Sequence, residues 1–112
     1  MDGYETLPLV NRAQLIAAGA KAAFLVSGRL SHWERDATTR EYWIRCFQSV
    51  FDEFAFEEAI DVLARAAFTR FGYVAYWQSS PKAQEAWIRR MRSAMAAIKQ
   101  ARLDMPPLGL PT

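Results

Sequence analysis

Ser80-Pro81-Lys82-Ala83-Gln84-Glu85-Ala86-Trp87-Ile88-Arg89-Arg90-Met91-Arg92-Ser93-Ala94-Met95-Ala96-Ala97-Ile98-Lys99-Gln100-Ala101-Arg102-Leu103 decides the fold class. Ser80 suits a helix N-cap, because its hydroxyl accepts from the free amides of the first turn. Pro81 suits the first helical position, where the missing N–H would be unpaired anyway. Trp87, Met91, Ala94, Ile98 and Ala101 then follow at steps of 4, 3, 4 and 3, which make one apolar stripe. Pro106 and Pro107 close the segment. The pattern predicts a helix of about six turns, the rod against which shorter helices pack.

Immediately upstream, Tyr73-Val74-Ala75-Tyr76-Trp77-Gln78 reads as a short helix or an aromatic loop. β-propensity would also allow a strand, but nothing else in the chain offers it a sheet partner. Before it, Phe56, Ile60, Leu63, Ala67 and Phe71 share one side of a helix expected from about Phe56 to Phe71, with Gly72 as its stop. Glu57, Glu58 and Asp61 fall in its first turns, where the helix dipole favours acids. Thr38-Thr39-Arg40-Glu41 has the form of a capping box. It is expected to start a helix carrying Trp43, Ile44, Phe47, Val50, Phe51 and Phe54, with a break or bend around Asp52–Ala55. Ser31-His32-Trp33-Glu34 has the same form and suggests a short helical turn.

The first helix is expected from Arg12 to Ser27. Asn11 would cap it with Gln14, Val10 would staple onto Leu15, and Gly28 would stop it. Its small residues, Ala17-Ala18-Gly19-Ala20 and Ala22-Ala23, would let other helices come close. With only Arg12 and Lys21 charged, most of this helix should be buried, within one copy or between two. Residues 1–10 and 104–112 read as extended tails. The fold expected is all-α: one domain over residues 1–112, a compact bundle of four to five helices organised around a long C-terminal helix.

Charge is distributed unevenly under a net value of +2. Residues 80–103 hold Lys82, Arg89, Arg90, Arg92, Lys99 and Arg102 against Glu85 alone, whereas residues 52–61 hold only acids. The two segments are candidates to face each other. A single cysteine, Cys46, excludes an internal disulfide and any cysteine-based metal site, which fits a reducing cytoplasm. The start Met-Asp-Gly-Tyr-Glu lacks the basic character of a signal peptide. The apolar run from Ala13 to Val26 is too short to span a bilayer. A cytoplasmic protein with no membrane association is expected.

No glycine-rich phosphate loop, GxSxG elbow or HExxH pattern occurs. His32, Glu34 and Asp36 do not have a recognised ligand spacing, and Cys46 adjoins Phe47 in an apolar helix, where a free thiol usually behaves as a small hydrophobe. No catalytic residue, metal or cofactor is therefore expected. Phe71, Tyr73, Tyr76 and Trp77 are the candidate partner-binding residues, because aromatic rings with polar tips concentrate at interface hot spots. Trp87, Met91, Met95 and Ile98 are the candidate dimer interface, since the stripe could serve as a coiled-coil seam and the apolar surplus favours a homodimer.

The outline formed by Asn11–Ser27, Thr38–Phe54, Glu57–Phe71 and Ser80–Leu103 resembles the small bacterial antiactivators of quorum-sensing LuxR-type transcription factors in size and helical make-up. The resemblance covers the whole chain in outline; no short motif carries it, and no functional residue transfers. It implies an all-helical dimer that binds the regulator's ligand-binding domain, mainly by hydrophobic contact, so that the regulator can neither dimerise nor hold DNA. The leading expectation is thus a non-enzymatic inhibitor that sequesters another protein, with no nucleic-acid partner. The alternative is a small DNA-binding regulator that uses Arg89, Arg90 and Arg92 on phosphates.

Overall fold

A computed structural model describes residues 9–71 and 77–105, with side chains from residue 11 onward. Among the described residues five helices follow one another: α1 (Leu9–Leu25), α2 (Leu30–Arg35), α3 (Ala37–Glu53), α4 (Ile60–Arg70) and α5 (Pro81–Asp104). No strand occurs among the described residues. The expected tails, the Gly72 stop and most of the segment 73–78 fall largely on residues outside those described.

The long helix begins as its sequence dictates. Ser80 is the N-cap, its hydroxyl accepts from the Ala83 amide, and Pro81 opens the first turn. Trp87, Met91, Ala94 and Ile98 are buried along one stripe. They meet α1, the largest helix–helix contact in the bundle, and α4. Full burial of a side chain the size of Met91 or Ile98 stabilises by about 1.5–3 kcal/mol. This stripe is therefore the spine of the monomer's own core. Trp87, Met91 and Ile98, expected at a dimer seam, are only 7, 0 and 0 % exposed and are enclosed by the chain's own helices. Met95 alone of that set is half-buried.

Close approach of α1 to α5 depends on Gly19. A Cβ there would lie 2.7 Å from Ile98 Cδ1 and 3.5 Å from the Ala94 carbonyl. Buried Ala20 and Ala23 continue the small face, and Ser93 Oγ lies 3.4 Å from the Ala22 carbonyl oxygen. The opposite side of α1, with Ala13, Gln14, Lys21 and Leu25, is exposed, so burial covers one face and not most of the helix. The helix starts at Leu9, two residues before the expected cap Asn11, and the staple expected of Val10 lies outside the described side chains. Gly28 follows the end of α1 through close packing: a Cβ there would strike the Phe24 ring.

Three other expected starts are displaced. At α3 the cap is Asp36, not Thr38. Its carboxylate accepts from the Thr39 amide (3.1 Å) and from the Thr39 hydroxyl (2.9 Å). At α2 the cap is Arg29, with no side-chain bond, so Ser31 lies inside the helix. α4 starts at Ile60, four residues later than expected, which leaves Glu57 and Glu58 outside it. Phe56 is nevertheless buried: in the α3–α4 connection its ring packs 4.7 Å from Phe51, with the Arg12 guanidinium 5.4 Å above it.

Two acids of the acidic segment pair with helices other than α5. Asp52 pairs with Arg12 at 3.9 Å, and Glu53 binds Arg70, which also donates to Ser49 Oγ. Both acids thus tie α3 to its neighbours α1 and α4. A single buried cluster draws side chains from all five helices, which is how one short chain closes one core.

Candidate functional site

Aromatic rings gather where α3, the end of α4 and the start of α5 converge. Trp43 of α3 lies 4.6 Å from Phe71 and 6.0 Å from Trp87, ring centre to ring centre. Phe71 meets Trp87 at 4.9 Å and Tyr42 edge-on at 5.2 Å. Phe68 meets Trp87 and Trp77 edge-on. Such offset and edge-on pairs stabilise by about 0.5–1.5 kcal/mol beyond their burial. Phe24 of α1 closes the back of the cluster against Trp43.

The front is open. Trp43, Phe68, Phe71, Ala83, Trp87 and Arg90 line a groove of about 350 Å³. That is near the lower end of ligand-sized sites, about 300–1,000 Å³, and suits one or two large side chains. Its wall is aromatic and its lip carries a cation. Arg90 stacks on Trp87, with the guanidinium carbon 4.8 Å from the ring centre. Its Nη2 donates to Ser27 Oγ at 3.1 Å, which holds the fork from the α1 side. Its Nε is buried with no hydrogen-bond partner. Burial, with the neighbouring Arg89 charge as a smaller cause, lowers the pKa of Arg90.

The four residues expected to bind a partner divide across this site. Phe71 is half-buried and lines the groove. Trp77 is half-buried beside Phe68, and its carbonyl accepts from the Gln84 side chain. Tyr73 and Tyr76 lie outside the described residues. Sequence reasoning did not nominate Trp43, Phe68 and Arg90 for this surface. Trp43 and Phe68 read as ordinary apolar positions of their helices, and Arg90 as one of several surface cations. Their shared signal is tertiary: three helix ends meet there.

A second depression, about 450 Å³, runs along the outer side of α5 over Pro81, Gln84, Glu85, Ile88, Arg89 and Arg92. On this side Lys82, Arg89, Arg92 and Lys99 are exposed. The polar cluster at the α2–α3 joint is structural. His32 Nε2 lies 3.2 Å from Asp36 Oδ2, and the same carboxylate is engaged by Thr39 as the α3 cap. Those hydrogen bonds, led by the Thr39 backbone amide, hold the Asp36 carboxyl below its ordinary range. Cys46 is buried with its thiol 3.7 Å from the Arg70 carbonyl oxygen, and burial pushes its pKa up.

No family model, curated protein or solved structure matches the chain. The site is therefore read from its own geometry. Among the described residues no helix is long and apolar enough to cross a membrane.

Proposed function

We propose that the chain is a non-enzymatic, cytoplasmic protein-binding inhibitor, which sequesters a partner by taking one of its apolar segments into the groove at the α3–α4–α5 junction. The observation that carries this reading is the aromatic wall of Trp43, Phe71 and Trp87 lining an open groove. Leu15, Phe47, Met91 and Ile98 already fill the interior. Ring surface left open beside a completed core supports docking, because aromatic anchors in a pocket carry most of the energy of an interface.

The outline resemblance to LuxR-type antiactivators makes the ligand-binding domain of such a regulator the first partner to test. Binding there would block its dimerisation and its hold on DNA. The inhibitor itself is proposed to be a homodimer. Most of the α5 stripe is taken up inside the monomer, so the seam is proposed at Leu25 and Leu30, which are exposed on either side of the α1–α2 turn.

The test is size-exclusion chromatography with light scattering on the protein alone and mixed with a purified LuxR-type regulator. The expected result is a dimer that forms a complex surviving high salt and frees the regulator from its operator. Phe71→Ala should weaken that complex. No complex with the regulator, or one indifferent to Phe71→Ala, would refute this reading.

The exposed cations of α5 favour a second reading, in which Lys82, Arg89, Arg92 and Lys99 bind DNA phosphates. Phosphate binding falls steeply with salt, whereas apolar docking does not. Retention of nuclease-sensitive material that is lost at high salt, and lost on joint replacement of Arg89, Arg90 and Arg92 by Ala, would favour that second reading.

A further inference from the structure

We infer that the groove selects its partner by charge as well as by shape: it takes a large apolar side chain that has a carboxylate within about one helical turn of it, and Arg90 receives the carboxylate. The inference rests on the protein-binding reading and adds the chemistry of the partner.

The argument starts from what Arg90 lacks. Its guanidinium is half-buried between Trp87 and Ser27, yet its named partners are a π face and a hydroxyl, both neutral. The charge that weighs on it is Arg89, which repels. A guanidinium has five donors in a planar fork. Here Nη2 is used and Nε is buried with no partner. Withdrawing a cation from water without a counter-ion is costly. Among the described residues Arg90 forms no ion pair that would offset that cost.

An arriving carboxylate would supply the missing charge where the groove already excludes water on one side. The fork matches a carboxylate in two parallel hydrogen bonds, and such charge-assisted bonds are roughly twice as strong as neutral ones. Stacking on Trp87 holds the guanidinium flat against the wall, so little freedom remains to be lost on binding. Exposed Arg89 and Arg92 on the same helix add a positive field that would steer an acidic segment to the site. The aromatic wall then takes the neighbouring apolar side chain. The occupant is thus an acidic, amphipathic segment of another protein.

The test uses a display library of random dodecapeptides, selected in parallel on the immobilised full-length protein and on Arg90→Gln. Circular dichroism and thermal melting establish that the variant is folded. The wild type should enrich peptides that combine a large apolar residue with Asp or Glu within a turn. Arg90→Gln should enrich the apolar residue without the acid. An enriched peptide is then synthesised with its acid and with Gln in its place, and tryptophan emission follows binding. The change to Gln should weaken binding to the wild type about tenfold, and to Arg90→Gln by no more than about twofold.

Ala83→Phe provides a second variant, since its ring would fill the groove from a half-buried position while Arg90 stays in place. It should abolish binding of the acidic peptide. An apolar consensus with no acid would overturn the inference and leave the protein-binding reading standing. An acid preference that survives Arg90→Gln would also overturn it, since Arg89 or Arg92 would then be reading the charge. Unchanged binding to Ala83→Phe would place the peptide elsewhere and overturn it too. Failure to enrich any peptide would remove both the inference and the groove as a docking site.

Discussion

The indole of Trp43 lies 6.0 Å from that of Trp87, with the two planes only 18° apart. One ring rises from α3 and the other from α5, although the backbones of these two helices do not come within contact of each other. Side chains alone bridge them. The aromatic wall is therefore a span between two helices, with Phe71 resting against both rings.

The two ends of this span should respond differently to truncation. Trp87 is 7 % exposed and belongs to the core, so Trp87→Ala should destabilise the fold by about 3–5 kcal/mol in urea unfolding. Phe71 is half-buried, and Phe71→Ala should cost less than half of that while losing partner binding. Equal losses of stability in the two variants would contradict the placement of Phe71 at the groove surface.

Gly19→Ala should destabilise, against the usual preference for Ala over Gly within helices. The new Cβ would sit 2.7 Å from Ile98 Cδ1 and 3.0 Å from its Cγ1, and Ile98 is fully buried. Overpacking of this kind costs about 1–3 kcal/mol, against about 1 kcal/mol regained from helix propensity. Ile98→Val removes the obstructing methyl. In the double variant the penalty of Gly19→Ala should largely vanish, and a double-mutant cycle by chemical denaturation measures it.

Asp36 makes the α2–α3 joint sensitive to acid. Its folded pKa lies below the ordinary aspartate value, chiefly because the Thr39 amide donates to the carboxylate. Above that value the carboxylate is ionised in both folded and unfolded chains, and its contribution is complete. As the pH falls through the acid range, the unfolded chain takes up the proton first, so the contribution declines down to the folded pKa. Asp36→Asn should flatten that part of the stability–pH curve and lower the melting temperature near neutrality. Melting curves across the acid range would show it.

Cys46 should be inert in the native protein. Its thiol is buried and its pKa is raised, so the reactive thiolate is scarce and shielded. A thiol reagent at neutral pH should label it slowly in buffer and promptly in denaturing urea. Fast labelling without denaturant would mean that α3 opens away from Arg70.

How far the chain could be read in advance follows the range of the interactions. Ser80 and Pro81 act within one turn, and α5 begins where they place it. In the α2–α3 region the capping boxes were read at Ser31 and Thr38, whereas Asp36, a residue type that caps equally well, takes the α3 position. Local chemistry alone does not rank them; Asp36 prevails in a joint where Arg40 also donates to the carbonyls of Trp33 and Glu34. Phe56 has helical spacing with Ile60, yet it is held in a connection by Phe51 and Arg12, residues from two other parts of the chain. The stripe Trp87–Ile98 was legible as an apolar face, but periodicity is the same whether a helix packs on its own chain or on a second copy. Arg90 was visible only as a charge. Its stacking on Trp87 is a contact within one helical turn, but its bond to Ser27 reaches a residue 63 positions away in sequence.

The pairing of α1 with α5 also sets a timetable. These are the first and last of the five helices, and the contact between Ser93 and Ala22 spans 71 residues. On a ribosome adding about 5–20 residues per second, α1 waits several seconds with its Leu15, Ile16 and Phe24 face uncovered before its partner is made. During that interval α1 can pack on α2 and α3 through Phe24, Trp33 and Trp43. The notch at Gly19 is filled last, when Ile98 arrives and the bundle closes.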